Sequence, residues 1–364
     1  MENRIQHLMN TMNQAQLSSA FITSKANIYY LTGYYTEPHE RLVALYIDKE
    51  GKPLLILPEM EKKDAMDSGW SEAILAYDDQ TEPFKKFKQY VAGSVPDNIG
   101  VESDHLTLTR YESIQSVFPR SKIQDCQPLL HQLRVIKDQS EYQLLKDAAA
   151  LADFGVQKGI EAIEEGKSEL EIIAHIEYAL KREGVRDMSF STLVLTGNKT
   201  SSPHGTPSQT KIKAGDFVLF DLGVVFEGYC SDITRTFGYK KMTEQQKEMY
   251  NVALKAQQTA IEAIEIGKPI GQLDQTARAV ITEHGYGDYF THRIGHGLGI
   301  DVHEYPSMNS ENTLPLEEGM CFTIEPGIYV PNVGGVRIED DIFMTKKGPE
   351  LLTQFPKQLQ IIGS

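Results

Sequence analysis

Cysteine is scarce in this chain. Cys126, Cys230 and Cys321 are the only three in 364 residues, and no two form a CxxC pair. A disulfide framework or a cysteine-ligated zinc site is therefore not expected. Long apolar runs are missing as well. No stretch approaches the roughly 18 apolar residues of a membrane span. The opening segment, MENRIQHLMNTMNQAQLSSAF, follows an amphipathic helix pattern without the apolar centre of a signal peptide. Basic residues are outnumbered: 36 Lys and Arg stand against 51 Asp and Glu, a net charge of −15. A nucleic-acid surface needs clustered Lys and Arg, so no nucleic-acid partner is expected. The expected compartment is the cytoplasm, with no membrane partner.

What is present suits a globular protein: 40% hydrophobic and 24% charged residues. The length suggests two domains. In the first third, strands alternate with helices. SSAFITS and RLVALYIDKEGKPLLILP read as strands, the second as a hairpin turning at Lys49-Glu50-Gly51. NIGVES is a short strand and LTRYESIQSVF a helix. This pattern predicts a small α/β domain ending near Leu133. Asp138-Gln139-Ser140-Glu141 is a capping box that opens a long helix through about Glu165. The boundary falls within 125–135, giving domains 1–130 and 131–364.

The second domain contains a repeat. IEAIEEGK at 160–167 recurs as IEAIEIGK at 261–268, an offset of 101, and Gly184 recurs as Gly285 at the same offset. Thr243-Glu244-Gln245-Gln246 is a second capping box, and Ser168-Glu169-Leu170-Glu171 opens a shorter helix. KAGDFVLFDLG at 213–223 matches EEGMCFTIEPG at 317–327, an offset of 104. Two α–α–β–β halves are too few for a solenoid. They predict an α+β domain with pseudo-twofold internal duplication, a central sheet and helices packed on one side.

Two acids interrupt a strand pattern within this repeat. FDLGVVFEGYCSDITRTF at 220–237 reads as a hairpin, with reversal expected at Phe226-Glu227. Asp221 and Asp232 would then be directly opposite on one face, with Cβ atoms roughly 4.5–5.5 Å apart. Buried like charges need neutralising. A shared proton, a salt bridge or a metal ion would each serve, and an exposed hairpin with two solvated acids needs none of them. The repeat gives both acids counterparts, Glu325 and Glu339, in a second hairpin turning at Pro331-Asn332-Val333. Those two are expected to be opposite as well, and four carboxylates could meet at one centre.

Between the hairpins, HRIGHGLGIDVHE at 292–304 carries His292, His296 and His303 among glycines. The segment lacks the Lys-Ser/Thr of a P-loop and fits the dinucleotide fingerprint poorly. Four carboxylates and an imidazole suit two ions sharing bridging carboxylates. Mixed O/N ligation favours Mn, Co, Fe or Zn over Ca or Mg. Two ions about 3.5–4 Å apart can activate a bridging hydroxide and polarise a carbonyl, so hydrolysis is the expected chemistry.

At these residues the chain resembles the metallopeptidase family of prolidases, aminopeptidases P and methionine aminopeptidases, whose fold is called pita-bread. The motifs are DLG at 221–223, SDITRTF at 231–237, GHGLGIDVHE at 295–304, TIEPG at 323–327 and VRIED at 336–340. The resemblance extends over the whole chain, with an N-terminal α/β domain similar to that of prolidase and creatinase. It implies Asp221 as a terminal ligand of one metal, Asp232 and Glu339 as bridges, and His296 with Glu325 completing the second site. The implied cofactor is two divalent ions per subunit, manganese first and cobalt or zinc after it. His204 resembles a histidine that contacts the substrate, and His303 one that stabilises developing charge or assists the leaving nitrogen. Glu325 would double as the proton shuttle, and His292 and Arg337 would shape the substrate pocket. Tyr229 and Tyr329 would be wall or supporting residues. The implied activity is hydrolysis of Xaa-Pro bonds in proline-containing di- or oligopeptides. It is read as an Xaa-Pro dipeptidase acting through a metal-bridging hydroxide, with Xaa-Pro aminopeptidase activity on longer peptides as the alternative. A non-catalytic binding protein is a further alternative. The resemblance also implies a homodimer, in which YYTEPHERL at 34–42, with His39 and Arg41, could reach a neighbouring site.

Overall fold

The computed structural model describes residues 2–48, 50–93 and 95–363. It divides into two units, 1–134 and 135–364. The first is built on short apolar strands: β1 (Ser19–Ile22), β2 (Ala44–Ile47), β3 (Pro53–Pro58), β4 (Ala73–Tyr77), β5 (Asn98–Val101) and β6 (Lys122–Asp125). They form one mixed sheet in the order β4-β3-β2-β1-β5-β6. Helices α1 (Glu2–Gln14), α2 (Lys25–Thr32), α3 (Lys62–Asp67), α4 (Pro83–Tyr90), α5 (Leu108–Val117) and α6 (Gln127–Val135) alternate with the strands. The core includes Phe21, Tyr46, Phe84, Phe87 and Phe118. β2 and β3 pair antiparallel, as the hairpin pattern predicts. Of the expected turn, Lys49 lies outside the described residues, and Gly51 takes a left-handed φ of +80°.

The second unit repeats one plan. Its first half is α7 (Gln139–Glu161), α8 (Glu169–Arg182) and strands β7 (Asp187–Met188), β8 (Leu193–Thr196), β9 (Phe217–Leu222), β10 (Val224–Phe226), β11 (Tyr229–Cys230) and β12 (Ile233–Tyr239). The second half is α9 (Glu244–Glu262), α10 (Gly271–Glu283) and β13 (His296–Gly297), β14 (Glu304–Ser307), β15 (Cys321–Ile324), β16 (Gly327–Val330), β17 (Gly334–Arg337) and β18 (Asp340–Thr345). β19 (Gly348–Leu351) and β20 (Ile361–Ile362) complete the edges. The strand order β12-β9-β8 in one sheet recurs as β18-β15-β13 in the other.

Each half buries its own helix pair. Ala148, Ala152 and Val156 of α7 and Ile172, Ile176 and Leu180 of α8 pack with Val218, Phe220, Ile233 and Phe237. Met249, Ala253 and Ala256 of α9 and Leu273, Ala277 and Ile281 of α10 pack with Phe322, Ile324, Ile338 and Ile342. Asp138, Ser168 and Thr243 each close a capping box with the residue three positions on. Helix α7 stops at Glu161, short of the expected Glu165. Its end tightens: the amides of Ala162 and Ile163 bond to the carbonyls of Gly159 and Ile160, both at 3.1 Å. Gly166 then turns the chain with φ +83°.

The first acid-bearing hairpin reverses one residue later than its sequence suggests. Phe226 pairs with Tyr229, so the turn is Glu227-Gly228. Both turn residues have positive φ, +46° and +81°, as a two-residue hairpin turn compatible with strand twist requires. The later turn changes the register. Asp221 is opposite Thr234, not Asp232. Asp232 lies in the break between β11 and β12, two residues before Thr234, so the two acids are diagonal neighbours. The second hairpin turns at 331–333, with Gly327 opposite Arg337 and Ile324 opposite Asp340. That register puts Glu325 opposite Glu339, as expected.

Both ladders break at the acids, and two of the freed amides cross between the halves. The Asp232 amide donates to Asp341 Oδ2 at 3.0 Å. The Glu339 amide donates to the Thr234 carbonyl at 3.1 Å, while the Glu325 amide stays within its own half and bonds to the Ile294 carbonyl at 2.8 Å. Gly223 allows the first break: a Cβ there would lie 1.9 Å from the Ser231 carbonyl oxygen.

Candidate metal centre

The two sheet breaks bring Asp232 and Glu339 beside His296, the first residue of the short strand β13. Single ligand atoms of Asp232, His296 and Glu339 all lie within 4.8 Å of one another, and all three residues are buried. His296 Nε2 is 3.6 Å from Asp232 Oδ2 and 3.5 Å from Glu325 Oε1. Its Nδ1 faces the Gly297 carbonyl at 3.1 Å. A carbonyl can only accept, so Nδ1 carries the hydrogen and the Nε2 lone pair points at the carboxylates. Burial, with His303 next, pushes the His296 pKa down to about 3. The imidazole is therefore neutral, the form that binds metals.

The carboxylates are driven the other way. Burial first, then Glu339 and Asp221, holds Asp232 well above the usual range. Burial and then Glu325 does the same to Glu339. Glu325 is pushed up to about 7, chiefly by burial. Asp232 Oδ1 and Glu339 Oε1 are buried without a hydrogen-bond partner. Orphaned carboxylate oxygens in a dry site cost several kcal/mol each. Divalent cations would satisfy them, and an oxygen-rich set with one neutral nitrogen fits such ions. The residues present fit the expected group.

Asp221 and Arg337 form an ion pair beside this trio. Arg337 is buried; its Nε donates to Thr234 Oγ1 at 3.0 Å and its Nη1 to Tyr329 OH at 2.9 Å. Tyr329 continues the chain to His292 Nε2 at 2.9 Å, and His292 Nδ1 meets the Arg293 carbonyl at 2.8 Å. Burial pushes the His292 pKa down to about 4, so this histidine is neutral too. The relay fixes His292 and Arg337, which line the site, through Tyr329 behind them.

These groups open into a cavity of about 740 Å³, also lined by His204, His303, Arg293, Phe190 and Leu193. Its volume lies within the range typical of small-molecule sites, about 300–1,000 Å³. The His303 and His296 rings are 4.1 Å apart, edge to face. His204 is exposed and also lines the cavity. All nine residues singled out from the sequence line this cavity.

Sequence reasoning missed Thr234, whose hydroxyl donates to Glu339 Oε2 at 2.6 Å. It also missed Asp341, which receives the Asp232 amide. Thr234 could have been found once the turn was placed at Glu227-Gly228, since that register puts it opposite Asp221. Tyr229 lies outside the cavity lining: its hydroxyl reaches Glu141 at 2.8 Å and ties β11 to the start of α7.

Comparisons with known proteins agree with this geometry. Residues 4–136 match the creatinase/prolidase N-terminal domain, and residues 143–346 match metallopeptidase family M24. YkvY of Bacillus subtilis (strain 168) is 49% identical over 99% of this chain and 100% of its own. The prolidase of Thermococcus sibiricus superposes with a TM-score of 0.93 at 35% identity, covering 99% of this chain and 98% of that one. The Xaa-Pro dipeptidase of Bacillus anthracis gives 0.92 at 32% identity, covering 99% of each chain. The match over residues 143–346, the identity to YkvY and the duplicated fold shared with prolidases show that this peptidase belongs to metallopeptidase family M24.

Proposed function

We propose that the protein hydrolyses the Xaa-Pro bond of dipeptides at a dinuclear metal centre. The observation that carries this reading is the pair of orphaned oxygens on Asp232 and Glu339, two residues that line a cavity large enough for a small peptide. Asp221, Asp232, His296, Glu325 and Glu339 would hold two divalent ions, with Asp232 and Glu339 shared between them. Manganese suits a set with four carboxylates and one imidazole; cobalt or zinc could replace it. When bound, such ions supply an acidified water and a Lewis acid for the substrate carbonyl.

The chain's own groups would do the rest. Glu325 stands beside His296 and can take the proton of the attacking water and deliver it to the proline nitrogen. His303 and His204 flank the cavity and can donate to the substrate carbonyl oxygen as it gains charge. Arg337 holds Asp221 in place, and His292, held by Tyr329, would bound the space for the proline ring. We also infer a homodimer, in which the segment at 34–42 reaches a neighbouring site; within its own unit Arg41 pairs with Asp79 at 3.1 Å.

A substrate-length panel tests the reading. Purified protein is assayed with manganese, cobalt or zinc on Xaa-Pro, Xaa-Pro-Yaa and proline-free dipeptides. The expected result is cleavage of Xaa-Pro. Cleavage of only the longer peptides would reassign the protein as an Xaa-Pro aminopeptidase. No cleavage with any of the three metals would leave a binding protein.

A further inference from the structure

His204 is carried by a loop whose ends meet on one buried carboxylate outside the metal centre. Glu169, the first residue of α8, is fully buried. Its Oε1 accepts the Thr196 amide at 2.9 Å. Its Oε2 accepts the Ser208 amide at 2.7 Å and the Ser208 hydroxyl at 3.3 Å. Lys199 pairs with the same oxygen at 2.5 Å and donates to Ser208 Oγ at 2.9 Å. Thr196 ends β8, where the chain leaves the sheet. Ser208 is where it returns, and the Glu169 amide there bonds to the Thr210 carbonyl at 3.1 Å.

An acid in the first turn of a helix often does no more than complement the helix dipole. Glu169 does something else. None of its side-chain hydrogen bonds goes to its own helix, and together they join both ends of residues 197–207. The first part of that loop has separate anchors: Thr200 Oγ1 accepts the Gly335 amide at 2.7 Å and Asn198 Oδ1 the Asn332 amide at 2.8 Å. Among the described residues, the part with His204, 203–207, makes one hydrogen bond, from the Gly205 amide to the Ser202 carbonyl at 3.0 Å. Its placement over the centre depends on the ends that Glu169 holds.

We propose that Glu169 and Lys199 are positioning residues, a buried clasp that sets His204 against the substrate. This rests on the reading of His204 as a substrate contact. An amide at position 169 keeps one acceptor but turns donors toward Ser208 and Lys199, which themselves donate there, so Glu169→Gln should open the clasp.

The metal-loaded Glu169→Gln protein is compared with the wild type by hydrogen exchange of residues 197–208, with α9 as the internal reference. The same proteins, His204→Ala and the double variant are assayed on an Xaa-Pro dipeptide. Faster exchange confined to 197–208 is expected, with metal content unchanged. A misplacement of this kind should lower kcat/KM by about tenfold to a hundredfold, and the double variant should be no worse than His204→Ala alone. Unchanged exchange, lowered metal content, or losses that multiply in the double variant would overturn the clasp. If the wild type cleaves no peptide, the functional reading fails while hydrogen exchange still decides the clasp. Should Glu169→Gln not fold, Lys199→Met carries the same test with the carboxylate and its two amide donors intact.

Discussion

Thr234 and Glu339 bind each other twice across the two halves of the second unit. The Glu339 amide donates to the Thr234 carbonyl at 3.1 Å, and the Thr234 hydroxyl returns a bond to Glu339 Oε2 at 2.6 Å. The hydroxyl also accepts from Arg337 Nε at 3.0 Å. One small side chain therefore orients both a proposed bridging ligand and the guanidinium that holds Asp221. Thr234→Val keeps the shape and removes the hydroxyl. We expect metal affinity to fall by about 10–100-fold, as for lost supporting hydrogen bonds at metal ligands. Thr234→Ser should retain most of it. Titration of metal-free protein with manganese measures the effect; unchanged affinity for Thr234→Val would remove Thr234 from the centre.

Asp232 is the most constrained of the proposed ligands. It is buried, its amide is committed to Asp341, and its Oδ1 has no partner. Burial and neighbouring acids penalise its charge without a cation. Asp232→Asn removes that charge and one bridging ligand together. The expected outcome is loss of peptidase activity and reduced metal stoichiometry. The metal-free variant should unfold at the same temperature as metal-free wild type, or higher, since an uncompensated buried charge is gone. Elemental analysis and thermal unfolding after chelation check both statements. Near-normal turnover would sink the ligand assignment.

The same raised carboxylates make the metal-free protein sensitive to pH in a defined direction. Glu325 has a folded pKa of about 7, against about 4.3 for an unfolded glutamate. Between those values the folded state binds more protons than the unfolded state, so stability falls as pH rises. Asp232 and Glu339 are shifted the same way. Burial pushes His292 and His296 the other way, to about 4 and about 3, against about 6.5 unfolded. They oppose this trend up to about pH 6.5, so metal-free protein should lose thermal stability between about pH 6.5 and 7. Binding of divalent ions requires the deprotonated ligands, so affinity should rise over that window. Melting curves with chelator and with manganese would show the gap between the two forms widening with pH. A metal-free protein that gains stability toward pH 7 would contradict the environment assigned to these groups.

The duplicated plan was readable because it rests on local chemistry. Capping boxes at Asp138, Ser168 and Thr243 and the paired segments EEGK at 164–167 and EIGK at 265–268 mark the halves without reference to tertiary structure. The acids were readable because carboxylates stand out in apolar strands. Register was harder. A two-residue turn depends on which residues accept positive φ, and Glu227 does so at +46° despite having a side chain. The placement of Asp221 against Thr234 followed from that. Thr234 needed the corrected register to be singled out, and Asp341 was hidden because its role arises where a ladder breaks and an amide crosses between halves far apart in sequence. The clasp at Glu169 was hidden for the same reason: in the sequence it is one more acid at a helix start.

Arg235 anchors the layer directly behind the ligands. It is among the largest fully buried side chains. Its Nη2 donates to Asp340 Oδ1 at 2.6 Å and to the Phe355 carbonyl at 2.7 Å, and its Nη1 to the Thr234 carbonyl at 2.9 Å and the Glu339 carbonyl. Asp340 also receives Lys357 at 2.8 Å and Gln257 at 2.7 Å. Burial raises the Asp340 pKa, but Arg235 and Lys357 outweigh it and hold the carboxyl below its ordinary value. Arg235→Met removes the charge partner and releases two carbonyls flanking proposed ligands. Breaking such a buried pair costs about 3–5 kcal/mol. The urea midpoint should fall accordingly, and manganese affinity should fall with it because Thr234 and Glu339 lose a shared anchor. Arg235→Met combined with Asp340→Leu should recover part of the stability, since no buried charge is left facing the missing arginine, without recovering the affinity. Recovery of both would show that Arg235 serves the fold alone.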